Sequence, residues 1–278
     1  MPDGQRIVAI INQKGGVGKT TTTANLGAAL ARSGLRTCLI DLDPQAHLSL
    51  HFGIRPSEDD ATVYDLMLDA SQEAARVAVS IESNLDLIAA ETDLAAAETD
   101  LATAPDRHTR LKSTLQRAGD HWDAVLIDCP PSLGVLTLNA LAAATEVFVP
   151  MQAHFLALQG VGKLLETVGM VAGSVNQELQ VSGIILCMHE TNTTLAREVV
   201  DDLSAFLDGC RTHDVPWRNC TVLMPPVRRN IKLAEAPSFG QSVFAYDASC
   251  HGARDYTALA ESVRTLWNES PAASADVC

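Results

Sequence analysis

The segment that most restricts the fold is Lys14-Gly15-Gly16-Val17-Gly18-Lys19-Thr20, because of what stands on either side of it. An apolar, β-branched run, Ile7–Ile11, precedes it, and a helical pattern runs from Lys19 to Arg32, ending at Ser33-Gly34. A glycine-rich turn between a strand and a helix lets the backbone take positive φ and aims several N–H groups at one point. The helix adds its positive end to the same point. This is the context that a phosphate-binding loop requires. Lys19 is placed to reach the β- and γ-phosphates of a nucleotide and the Thr20 hydroxyl to ligate Mg²⁺. The contacts expected are Lys14, Gly15, Gly16, Val17, Gly18, Lys19, Thr20 and Thr21. The usual pattern, G-x-x-x-x-G-K-[ST], is altered: Gln13 takes the place of the first glycine and an extra lysine, Lys14, follows it.

Two further elements end apolar strands with acid. Asp41-Leu42-Asp43-Pro44-Gln45 closes the run Thr37–Leu42, and Asp128-Cys129-Pro130-Pro131-Ser132 follows Ala124–Ile127. Carboxylates at strand C-termini face the ligand crevice of an open α/β sheet. Asp43 is expected to orient the attacking water or to hold Mg²⁺ through water, and Asp128 to hold the Mg²⁺ shell as a Walker B acid. The two prolines stiffen a loop suited to sensing a γ-phosphate. Cys129, small and beside the acid, reads as packing.

The other strand patterns are Leu85–Ala89, Glu146–Pro150 and Val181–Met188. They are nearly continuous in Val, Ile and Leu, as strands buried on both faces of a parallel sheet are. Helical patterns cover Thr62–Leu68, Asp93–Leu101, Arg107–Arg117, Leu133–Ala144, Leu158–Ala172, Leu195–Leu207 and Ala253–Trp267, and the alanine-rich segment Ala89–Ala104 reads as a helix face packed on the sheet. Alternation of this kind gives a three-layer, doubly wound α/β fold, with a mainly parallel sheet and helices on both faces. One domain over residues 1–268 and a disordered tail over 269–278 are expected. The few residues ahead of Ile7 leave no room for a DNA-reading helix-turn-helix.

Composition narrows the class. The formal net charge is −14, which counts against nucleic acid as an obvious ligand while allowing a local basic patch. Seven cysteines without a C-x-x-C pair suit a reducing cytoplasm and not a disulfide framework or zinc site. No signal peptide or membrane-spanning run is evident.

Taken together, Lys14–Thr20, Asp41–Gln45, Asp128–Ser132 and Leu233-Ala234-Glu235-Ala236-Pro237-Ser238 resemble the ParA family of partition ATPases, within the MinD-like group with a deviant Walker A motif, and most closely its small chromosomal type. The resemblance runs from about Ile7 to Trp267. It implies a homodimer assembled on ATP, in which Lys14 reaches the partner's nucleotide, so that Lys14, Lys19 and Asp43 carry catalysis while Thr20, Asp43 and Asp128 hold Mg²⁺. An added cation of this kind neutralises transition-state charge as an arginine finger does. The resemblance also implies non-specific DNA binding by the ATP dimer and a ParB-like partner that stimulates slow hydrolysis, in the cytoplasm on the nucleoid. Arg228, Arg229 and Lys232, with Arg254 further on, are the candidate DNA surface; a solvated charged loop is the competing reading. Two positions depart from the family pattern. Asn192 stands where many relatives carry a basic residue, and the loop Met224-Pro225-Pro226-Val227 is longer before Arg228, which places Pro226 near the adenine.

Other assignments use the same residues. A cargo-positioning relative would move a protein assembly with the same chemistry. A MinD-like membrane-positioning ATPase needs a basic amphipathic C-terminal helix, whereas no Lys or Arg follows Arg264. A nitrogenase-reductase-like iron–sulfur protein needs paired cysteines, and Cys129 has no evident partner.

Overall fold

A computed structural model describes residues 4–69, 71–190 and 194–269. Asn192 and the tail after Glu269 lie outside the described residues. One eight-stranded sheet runs through the molecule in the order β3-β4-β2-β5-β1-β6-β7-β8. Its strands are β1 (Arg6–Ile10), β2 (Thr37–Asp41), β3 (Val79–Glu82), β4 (Leu85–Ile88), β5 (Ala124–Asp128), β6 (Glu146–Met151), β7 (Gln180–Leu186) and β8 (Thr221–Leu223). All neighbours pair in parallel except β3 with β4.

The six strands expected from the sequence are present, with ends shifted by a residue or two. The parallel centre explains their composition: β2, β5 and β6 are buried at every residue. Two strands were not expected. β3 (Val-Ser-Ile-Glu) is polar, half exposed and bulged against β4, as an edge strand is. β8 has three residues, too few to carry a pattern.

Helices cover both faces. On one lie α1 (Lys19–Arg32) and α2 (His47–His51). On the other, in chain order, are α3 (Val63–Leu68), α4 (Ala74–Val77), α5 (Ala97–Asp100), α6 (Arg110–Ala118), α7 (Val135–Ala143), α8 (Phe155–Ser174) and α9 (Thr194–Cys210). The chain then returns to the first face with α10 (Ile231–Glu235), α11 (Val243–Asp247) and α12 (His251–Glu269). Two cores result. Val8, Ile10, Leu39 and Leu126 face α1 and α12; Ala9, Ile40, Ile127 and Val149 face the helices of the opposite layer. Successive residues of one strand thus feed opposite cores, which is why the strands are apolar throughout.

α1 is buried almost all round, between the sheet and α12. It lies so close to β2 that a Cβ on Gly27 would come within 2.3 Å of a Leu39 methyl. The helix expected over Asp93–Leu101 is present with shifted ends, as a 3-10 turn running into α5, but the wider helix face expected over Ala89–Ala104 is not. Ala89 and Ala90 are buried at the exit of β4, followed by a 3-10 turn (Thr92–Ala96) and the single turn α5. Alanine favours helix, but the chain must first leave the sheet and turn, and Pro105 soon follows. α12 reaches Glu269, inside the expected tail. Its end is fastened to β1: the Arg6 guanidinium donates to the carbonyl of Trp267 at 3.0 Å and pairs with buried Glu146 at 3.1 Å.

Candidate functional site

Parallel strands place their C-terminal ends along one edge, and β1 lies there between β5 and β6. The glycine loop leaves β1 at that edge. Gly16 has φ +72° and Gly18 φ +100°, a left-handed backbone that glycine adopts without steric cost. Gly18 is also the N-cap of α1. A Cβ on Gly15 or Gly16 would meet nothing within 4 Å, so the turn opens onto free space. Lys19, 8% exposed, donates from Nζ to the carbonyl of Lys14 at 3.4 Å, and Lys14 itself is exposed.

Two residues outside the motif shape the turn. Asn12 donates through Nδ2 to the carbonyl of Pro150 at 2.7 Å and accepts the Lys14 N–H at 2.9 Å. Gln152 donates through Nε2 to the carbonyl of Gly16 at 3.1 Å. Both links run to the end of β6. Gln152 stands two residues past the strand pattern Glu146–Pro150, on the crevice side of the sheet, whereas no sequence pattern points to Asn12.

Asp128 ends β5 and is 1% exposed. Its carboxylate accepts the Thr20 hydroxyl at 2.6 Å and the Thr23 hydroxyl at 3.4 Å. Asp41 ends β2 in register with it. Burial first, and the neighbouring Asp41 second, push Asp128 up to about 8. Burial also pushes Asp41 up to about 6, opposed by hydrogen bonds from Ser49. Two buried carboxylates side by side disfavour a second negative charge, and a cation at this edge would relieve both. Asp43, two residues on, is half-buried and accepts the Gln45 N–H at 3.0 Å. Of the pair, Asp43 was singled out in the sequence, while Asp41 carries the interior contacts. Cys129 is fully buried and burial pushes its thiol well up, in keeping with packing.

Beside the glycine loop lies a cavity of about 450 Å³, largely apolar, reached from Gly18 and Thr21. Cys187, Met188, Asn230 and Tyr256 are among the residues around it. Two of these lining residues meet the buried Thr22 hydroxyl, the Tyr256 hydroxyl at 3.2 Å and the Cys187 sulfur at 3.4 Å. The segment after β8 enters the wall at Val227, one residue past Pro226.

The four basic candidates differ in circumstance. Arg228 is drawn back onto Asp255 of α12. Lys232 Nζ donates to Glu235 at 2.8 Å and lies 5.3 Å from the centre of the Tyr246 ring. The exposed Arg229 is 3.7 Å from Glu190, and Arg254 is exposed on α12.

A glycine turn leading from a central parallel strand into a helix, with a buried acid ending the next strand and bonded to the hydroxyl after the lysine, defines a P-loop nucleotide-binding protein. A family model described as an AAA domain matches residues 5–181. The chain is 42% identical over 258 residues to the chromosome-partitioning ATPase Soj of Treponema pallidum, covering 93% of this chain and 96% of that one. It is 40% identical over 260 residues to the chromosome partitioning protein ParA of Caulobacter vibrioides, covering 93% of each. Among solved structures, cobyrinic acid a,c-diamide synthase of Mycobacterium smegmatis with bound ADP and magnesium superposes with a TM-score of 0.79 at 34% identity, over 97% of this chain and 98% of that one. The chain belongs to the ParA/Soj family of chromosome-partitioning ATPases.

Proposed function

We propose that this protein is an Mg²⁺-dependent ATPase that dimerises on ATP, binds DNA without sequence preference and drives chromosome or plasmid segregation with a ParB-like partner, which stimulates a slow hydrolysis. In this reading residues 1–268 act as one domain, in the cytoplasm on the nucleoid. The observation that carries it is the 2.6 Å bond between Thr20 and Asp128 beside an open glycine turn. A hydroxyl and a carboxylate are hard oxygen donors suited to Mg²⁺, and the turn offers unobstructed N–H groups to phosphate. The donor set therefore fits both groups.

When bound, Mg²⁺ neutralises charge on the β- and γ-phosphates. Gly15, Gly16, Val17 and Gly18 supply backbone donors, Lys19 supplies charge to the β- and γ-phosphates, and Thr21 stands at the mouth of the cavity that takes the nucleoside. Thr20 and Asp128 would hold the metal. Asp43 orients the attacking water. Lys14 is exposed, as a lysine serving a partner's nucleotide must be. Arg229, Lys232 and Arg254 supply phosphate contacts to DNA. No described helix is long and apolar enough to cross a membrane, and a nucleic-acid track needs none.

The test is DNA binding by purified protein with ATP, ADP or no nucleotide, at low and moderate salt, alongside Asp43→Ala. Salt-sensitive binding that needs ATP and persists in a hydrolysis-dead Asp43→Ala supports the cycle. An ATP dimer that binds no DNA at either salt removes the DNA half of the reading.

A further inference from the structure

Asp43 sits in a turn that the Ala46 N–H closes on its carbonyl at 2.8 Å and the Gln45 N–H on its carboxylate at 3.0 Å. Leu42 is fastened by its N–H to the carbonyl of Asp128 at 2.9 Å. Beyond it the chain passes Asp43, Pro44 and Gln45, takes a left-handed conformation at Ala46 (φ +51°), and enters the five-residue helix α2. A helix this short has no stability of its own in water, so its placement depends on tertiary contacts. Leu48 supplies an apolar one, fully buried under α1.

The polar anchor is Ser49. Its N–H and its hydroxyl both donate to the same Asp41 oxygen, Oδ2, each at 2.8 Å. The Ser49 hydroxyl also accepts the N–H of Ala90, at the exit of β4, at 2.9 Å. The other Asp41 oxygen accepts the N–H of Asp43 at 3.3 Å. Asp41 is 0% exposed and Ser49 1%. One buried carboxylate thus holds the backbone of Asp43 and the middle of α2, while Ser49 ties both to the neighbouring strand.

We propose that Asp41 and Ser49 are positioning residues for hydrolysis: by clamping both ends of the Asp43 turn they hold the Asp43 carboxylate where it orients the attacking water. Both are shut off from the surface and act through Asp43, so the proposal rests on the reading of Asp43 given above. Loosening the clamp leaves the glycine loop, Lys19 and the Thr20–Asp128 pair in place. The cost therefore falls on turnover and not on ATP affinity.

Ser49→Ala, Ser49→Thr, Asp41→Asn and Asp43→Ala in the full-length protein make the test, read by ATP affinity, steady-state hydrolysis and hydrogen exchange without nucleotide. Ser49→Ala is expected to bind ATP within about two-fold of the parent and to hydrolyse it about ten-fold more slowly, since a small misplacement of a reacting group is costly. Ser49→Thr, which keeps the hydroxyl, restores the rate, and Asp41→Asn, which also removes the charge beside Asp128, slows turnover at least as much as Ser49→Ala. Exchange quickens over residues 43–52 in Ser49→Ala while β2 and β5 stay protected. Parental turnover in Ser49→Ala beside a dead Asp43→Ala overturns the clamp alone. Equal loss of affinity and rate, with protection lost across the sheet, also overturns it and assigns Ser49 to folding. An active Asp43→Ala overturns the Asp43 reading and the clamp with it.

Discussion

The guanidinium of Arg228 lies against the carboxylate of Asp255, with Nη2 2.6 Å from Oδ1, Nε 3.0 Å from Oδ2, and the Arg228 N–H donating to Oδ2 at 3.0 Å. The Asp255 side chain is 6% exposed. Three donors from one residue on a buried acceptor fasten the segment after β8 to α12, which together form part of the cavity wall. The basic run Arg228-Arg229-Asn230-Ile231-Lys232 therefore holds two kinds of cation: Arg228, part-exposed but anchored on a buried acid, and Arg229 and Lys232, paired only with acids that are themselves exposed.

That division predicts opposite phenotypes for adjacent arginines. Arg228→Ala removes the guanidinium donors and leaves only the backbone N–H of residue 228 on the buried Asp255 carboxylate, and is expected to cost about 2 kcal/mol of stability, the scale of hydrogen bonds to a charged group. Arg229→Ala removes an exposed side chain and is expected to leave the melting temperature unchanged while lowering the salt dependence of DNA binding by about one unit of slope. Thermal unfolding and a salt titration of DNA affinity measure both; a melting temperature that falls more for Arg229→Ala contradicts the assignment.

Gly18 is constrained twice. Its φ of +100° is unfavourable for any residue with a Cβ, and that Cβ would stand 3.3 Å from both Cβ and Sγ of Cys187. Gly18→Ala is expected to lose about 1–2 kcal/mol of stability from the backbone alone and to weaken nucleotide binding as the turn distorts. Chemical denaturation together with nucleotide titration would show whether both fall.

The paired acids give the nucleotide-free protein a pH signature. Asp128 is raised from 3.8 to about 8 and Asp41 from 3.8 to about 6, so the folded state binds more protons than the unfolded state between these limits. Their contribution to stability is full below about pH 4 and is lost as pH rises, through about 6 for Asp41 and about 8 for Asp128. Asp128→Asn should flatten the upper part of that slope. At neutral pH, binding of Mg²⁺ with nucleotide should release protons, seen as a buffer-dependent heat in calorimetry.

His51 works in the other direction. It ends α2, is 3% exposed, and its Nε2 has no hydrogen-bond partner. Burial lowers it from 6.5 to about 4, so between those values the unfolded chain binds the proton and stability falls as pH falls. His51→Leu is expected to reduce the loss of stability between pH 6.5 and 4; an unchanged acid limb in pH-dependent melting would refute this.

The sequence by itself determined the chemistry of the loop and the class of fold. Strand, glycine turn, lysine and threonine form a local pattern, and a phosphate site built on one turn and one helix end needs no distant partner to be recognised. The apolar runs identified the central parallel strands for a similar reason: burial on both faces leaves a continuous signature along a single segment. Edge strand β3 and the short β8 carry no such signature, and the alanines of 89–104 signalled helix where the exit from β4 and a 3-10 turn intervene. Only the tertiary structure showed that Asn12 and Gln152 brace the glycine turn from β6, that Asp41 rather than Asp43 holds the buried contacts, and that Arg228 is anchored on the buried Asp255. Each of these is a pairing between residues far apart in the chain or a choice between like neighbours. Residue type gives the charge of an arginine or an aspartate, but the burial of its surroundings decides whether that charge is met inside the protein or presented to solvent.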